Sequence, residues 1–288
     1  VTLEVVSELR AALGEGALWD AELARLLWVD ILGHRVFVLD PKTGTQESYD
    51  VGEEVGTVVV TGDGNLLVAL RHRIARLDPR TGALADLVAV EPERGDTRCN
   101  DGKCDPAGRL WVGTMVEGPA RGSGALYCLD PTLSLERRLG DITISNGIAW
   151  SLDGRRMYYI DTPRQRVEEF AFDVASGTLG AHRVVIEIPP ELGAPDGMTI
   201  DAEGCLWIAL WGGGAVLRVE PNAGRLLQKL PIPVTNVTSC AFGGPDLGDL
   251  YVTTARRGPG DEEPLAGALL RHRASVRGVP ATRFAGSP

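Results

Sequence analysis

A chain of 288 residues is longer than most single domains, yet all-β folds reach this length as one unit. With 44% hydrophobic residues it can bury a sizeable core, and 36 glycines beside few aromatics favour a turn-rich β architecture over a helical bundle. A net charge of −10 without any Lys/Arg run argues against nucleic acid as a partner, and no apolar run is long enough to span a bilayer.

In chain order, one phrase recurs: an Asp, a short turn, then a strand of Leu, Trp, Tyr, Val or Ile. It begins at Asp20, Asp63, Asp105, Asp153, Asp201 and Asp246, at intervals of roughly 40–50 residues. A further strand follows each, among them RVFVLDP, RIARLDP, ALYCLDP and AVLRVEP, several leading into Gly-containing turns. Four strands per unit at that period is the size of a propeller blade. The repeat predicts an all-β, six-bladed β-propeller of four antiparallel strands per blade, with residues 1–288 as one domain. A solenoid would need polar caps at both ends, and none is visible. A ring must close, so a strand near Val1–Arg10 is expected to pair with the last blade, which starts near Thr238, rather than leave a long sheet edge open.

The segment before each Asp turn is the expected innermost strand. Blade one reads LGEGALW with Glu15, blade three RCNDGKC with Asn100, blade four ISNGIAW with Asn146, and blade five APDGMTI with Asp196. Glu15, Asn100 and Asp196 each precede their turn Asp by five residues, and Asn146 precedes its own by seven. Blades two and six place nothing acidic there. Each of these residues alone reads as a turn former; on a ring, equivalent positions converge on the axis. Converging carboxylates repel and are costly to bury unless a cation joins them. Oxygen-only donors point to a hard ion: Ca²⁺ first, with Mg²⁺ or Mn²⁺ as alternatives.

The segments GEGALW (14–19), CNDGKCDPAGRLWVGTM (99–115), ISNGIAWSLDG (144–154) and PDGMTIDAEGCLWIALWGGG (195–214) give the chain a resemblance to the senescence marker protein/regucalcin and gluconolactonase family of six-bladed propellers. The resemblance runs over nearly the whole chain. It implies one divalent cation, with Zn²⁺ added to the possible metals, held by Glu15, Asn146 and Asp196. It implies substrate contacts at Arg98, Asn100 and Glu117, and a lid-like loop after Glu117, where GPARGSG is short. The implied activity is hydrolysis of a sugar lactone of the gluconolactone type (EC 3.1.1). The alternatives are a non-catalytic calcium-binding regulatory propeller and a phosphotriester hydrolase.

Lactone hydrolysis needs an activated water, a polarised carbonyl and a stabilised leaving alkoxide. Asp196 is the expected base as well as a ligand. Arg98 suits the developing oxyanion or sugar hydroxyls, Asn100 a polyhydroxy ligand, and Glu117 sugar hydroxyls. Asp101 reads as a turn residue, and Trp19, Trp111 and Trp207 as core. No GxSxG elbow, P-loop, dinucleotide fingerprint or EF-hand is present, and none of the four histidines falls in an inner-strand slot. Five cysteines without a CxxC pair read as reduced thiols, and VTLEVVSELR carries no signal-peptide pattern, so a cytoplasmic monomer or weak homo-oligomer is expected, with a removed leader left open.

Overall fold

The apolar phrases become strands buried on both faces. A computed structural model of the chain describes residues 2–118, 121–258, 260 and 262–288; among them, 24 strands form six four-stranded antiparallel sheets. Among the described residues, only two short 3₁₀ turns, Thr162–Arg164 and Pro190–Leu192, interrupt this pattern. Blades one to five occupy residues 14–50, 55–89, 97–142, 145–187 and 194–231. Blade six takes Val237–Gly243, Asp249–Thr254 and Leu270–Arg273, and its fourth strand is Leu3–Val5, with Leu3 opposite His272 and Val5 opposite Leu270.

Burial falls from the axis outward. Every residue of the inner strands Gly14–Asp20 and Val55–Val60 is buried, whereas the outer strands Gln46–Asp50 and Thr178–Glu187 are largely exposed and carry charge. Charged outer strands keep the free sheet edges from pairing with other chains. The core lies between blades. Leu27 and Val36 of blade one meet Val58 and Val68 of blade two, Trp111 of blade three meets Tyr159 and Phe170 of blade four, and Trp19 and Trp28 of blade one meet Tyr251 and Leu269 of blade six. Each fully buried Leu, Val or Phe contributes about 1.5–3 kcal/mol, so stability resides in blade–blade contacts.

The recurring Asp locks the turn after the inner strand. Asp105 Oδ1 accepts from the Ala107 and Arg109 backbone N–H groups at 2.9 and 3.0 Å. Its Oδ2 accepts from Arg109 Nε at 2.6 Å and Trp111 Nε1 at 2.9 Å. Asp201 repeats the pattern with Glu203, Cys205, Arg218 and Trp207. In blades two and four that slot belongs instead to Thr61 and Ser151, which make the same turn bonds to Asn65 and Arg156. The repeat read from Asp63 and Asp153 is therefore two residues late there. A hydroxyl opens those turns, and the Asp two residues on supports it, with Ser151 Oγ donating to Asp153 at 2.6 Å. Asn146 then lies five residues before Ser151, in step with Glu15, Asn100 and Asp196.

The C-terminal tail, which the repeat did not anticipate, crosses the face that bears these turns. Gly278 bridges Asp201, Phe284 bridges Thr61 in parallel, and the Ala285 N–H donates to the Gly108 carbonyl at 2.9 Å. Arg283 pairs with the buried Asp20. All five cysteines are unpaired by disulfides and buried, and no helix among the described residues is long and apolar enough to cross a membrane.

Candidate functional site

All six inner strands break register at one level. The shifts fall at Glu15/Leu18, Val55/Thr57, Cys99/Gly102, Ser145/Ile148, Pro195/Met198 and Val237/Ser239. A β-bulge re-aims the side chain it holds, and here the bulges hold or adjoin Glu15, Asn100, Asn146 and Asp196. The glycines beside them allow the strands to crowd together. A Cβ on Gly147 would meet Met198 Cβ at 2.6 Å and the Asp196 carbonyl at 2.8 Å, and one on Gly197 would meet Ser239 at 2.7 Å.

A hydrogen-bond chain ties blades three, four and five together at this level. Arg98 Nη1 donates to Asn100 Oδ1 at 2.7 Å, and Asn100 Nδ2 donates to Asn146 Oδ1 at 2.9 Å and to the Ser145 carbonyl at 2.8 Å. Asn146 Nδ2 donates to Thr162 Oγ1 at 2.7 Å, and Thr162 Oγ1 donates to the Pro195 carbonyl at 2.7 Å. The Asn146 amide is thus fixed, and its oxygen keeps one lone pair beyond the bond from Asn100. Asn100 spends both donors within the protein, so it orients Asn146 in addition to any part in holding substrate.

Glu15, Asp196 and Asp101 are all buried. Burial pushes the Glu15 carboxyl up to about 8, helped by the Asp101 charge. Burial, then the charges of Glu15 and Asp101, hold Asp196 well above the ordinary carboxylate range. Their mutual influence places the three carboxyls in one electrostatic neighbourhood. Arg98 is buried as well, and its charge lowers both Glu15 and Asp196 without pairing with either. Two buried carboxylates and an oriented amide oxygen, lacking a bonded cation, are the donor set that fits a hard divalent ion. Glu15, Asn146 and Asp196 are the residues that could hold one.

Glu117 sits apart from this layer, at the exposed rim. It pairs with Arg71, which also reaches Glu54 at 3.2 Å, and its carboxylate stands 3.9 Å from Arg98 Nε. The lid expected after Glu117 falls on a segment whose residues 119 and 120 lie outside the described residues. Asp101 is not the turn residue that its Asn-Asp-Gly context suggested. It lies within the inner-strand bulge, and the extra residue before Gly102, compared with Asn146-Gly147 and Asp196-Gly197, is the signal that marks it. Thr162 and Arg71 had no such signal, because both act from outside the inner strands.

Six blades around an acid-lined axis, with the polar residues on bulges at one height, define an axial-site propeller. The sequence model for the SMP-30/Gluconolactonase/LRE-like region matches residues 13–256, and the chain belongs to that family. Regucalcin of Gallus gallus is 38% identical over 296 residues, covering 99% of each chain. The structure of a calcium-binding protein, regucalcin, from Agrobacterium tumefaciens superposes with a TM-score of 0.92 at 29% identity, over 97% of this chain and 96% of that one. XC5397 of Xanthomonas campestris, a gluconolactonase, superposes with a TM-score of 0.76 at 25% identity, over 93% and 88%.

Proposed function

We propose that this protein hydrolyses a sugar lactone of the aldonolactone type to its aldonic acid, using one divalent cation, Ca²⁺ first, held by Glu15, Asn146 and Asp196. The observation behind the reading is the pair of buried carboxyls, Glu15 and Asp196, with an oriented Asn146 amide and the buried Arg98, and Glu117 at the exposed rim. Membership of a family that includes a gluconolactonase supports the substrate class.

When bound, the cation supplies Lewis acidity that polarises the lactone carbonyl and makes water more acidic. Asp196 takes a proton from the water that attacks the carbonyl carbon. The same carboxyl then returns that proton to the ring oxygen as the C–O bond breaks, so the ring opens to a hydroxy acid. The Arg98 guanidinium donates to the oxygen on which negative charge develops. Glu117, at the mouth, accepts from sugar hydroxyls and orients the ring.

A panel of aldonolactones assayed by acid release, with and without chelator, tests this reading. Hydrolysis that disappears on chelation and returns with Ca²⁺ is the expected result. Binding of Ca²⁺ without hydrolysis of any lactone would favour the second reading, a calcium-binding regulatory propeller, to which the likeness to the calcium-binding regucalcin of Agrobacterium tumefaciens points.

A further inference from the structure

A second space lies along the inner strands, toward the face that the C-terminal tail crosses. Its volume is about 240 Å³, and its walls include Leu18, Trp19, Trp150, Ile200 and Phe242, with tail residues Val279 to Thr282 at its edge. Lys103 is the one charged residue that lines it. Its Nζ donates to the Met198 carbonyl at 2.7 Å and makes no ion pair among the described residues. Burial lowers the Lys103 pKa, and the charge of Asp101, which is not bonded to it, offsets that in part by favouring the ammonium. Two of the three ammonium N–H groups are therefore available, in a space whose lining also includes Trp19, Trp150 and Phe242.

This chemistry selects its ligand. An ammonium short of partners in an apolar chamber attracts an anion, and a charge-assisted bond there is stronger than one in water. The rings favour an apolar body, and the hydroxyls of Ser151, Thr199 and Thr282 are among the other polar side-chain groups of the lining. A dry cavity of about 150 Å³ holds benzene, and pockets for drug-sized ligands start near roughly 300 Å³; this one suits a single ring with a short arm. We propose that the chamber binds a small aryl carboxylate, its carboxylate on Lys103 and its ring against Trp19, Trp150 and Phe242.

The test is isothermal titration of the protein, freed of metal by chelator, with benzoate, phenylacetate and the neutral benzamide. The expected result is saturable binding of the two carboxylates, with benzamide at least about tenfold weaker, the size of one charged hydrogen bond. Lys103→Met should bring benzoate down to the level of benzamide and leave benzamide unchanged. Lys103→Arg, a control that keeps the charge should Lys103→Met fold poorly, should retain the preference for carboxylate. Quenching or a shift of tryptophan emission on binding, reduced in Trp150→Phe, locates the ligand. Absence of saturable binding, equal affinity in Lys103→Met, or binding that requires added Ca²⁺ would each overturn the proposal.

Discussion

Glu15 and Asp196 show how burial changes what a carboxyl does. In water each would ionise near pH 4; in the wall of the axis Glu15 is pushed up to about 8 and Asp196 well above its ordinary range. The folded chain therefore binds protons that the unfolded chain has released, and by linkage its stability falls as pH rises. The loss begins near the unfolded pKa of about 4.3 and is complete above the folded value, about 8 for Glu15. Thermal melts of chelated protein should fall in Tm between pH 5 and about 8. Ca²⁺ should abolish that fall, because the ion favours the ionised carboxyls, and Glu15→Gln should reduce it in the metal-free protein, leaving the part due to Asp196. Asp196 has the further role of base. Asp196→Asn should reduce kcat by at least about 10²-fold, the usual worth of a positioned acid–base group. Direct Ca²⁺ titration should show weakened binding that is not lost, since Glu15 and Asn146 remain. Full turnover by a Ca²⁺-loaded Asp196→Asn protein would remove Asp196 from the mechanism.

At the scale of the element, the inner strand and its turn do two jobs at opposite ends. In blades three and five one end is a bulge that aims a polar group at the axis, and the other is an Asp that gathers turn N–H groups, an Arg and a Trp. Asp105→Ala would strip a carboxylate from the buried Arg109 and from Trp111 Nε1. Leaving a buried charge without its partner costs about 3–5 kcal/mol, and urea unfolding should show a loss of that order with the m-value unchanged. The five-residue spacing from bulge to turn was legible in three blades. In blade four it was obscured, since Ser151 shares its role with Asp153, and the sequence offers no rule for choosing between a hydroxyl and a carboxylate two residues later. Asp101 was misread for a related reason. Asn-Asp-Gly is a good turn on local grounds, and only pairing across the strands shows that it sits inside one.

For the whole molecule, the inner strands carry an acid layer with its amides at the bulges and, toward the tail-bearing face, a chamber lined by Lys103. The tail ties blades five, six, one, two and three across the face below. Phe284 is fully buried, against Cys104, Leu110 and Leu129 of blade three and Val59 of blade two. Phe284→Ala should cost about 3–5 kcal/mol, read as a lower midpoint in denaturant. Lactone turnover per folded molecule should change little, because the tail crosses the face away from the acid layer.

The sequence alone determined the period, the strand content, the inner-strand residues Glu15, Asn100, Asn146 and Asp196, and the resemblance that singled out Arg98 and Glu117. These are written locally, since a strand, a turn Asp and an Asx-Gly bulge are chosen by a few adjacent residues. Tertiary structure decided which groups meet: Thr162 holding Asn146, Arg71 holding Glu117, Asp101 joining the acids, and the tail crossing five blades. All but the Thr162–Asn146 bond, which lies within blade four, join different blades, and the strength of each depends on burial and mutual charge, which exist only once the strands are packed together.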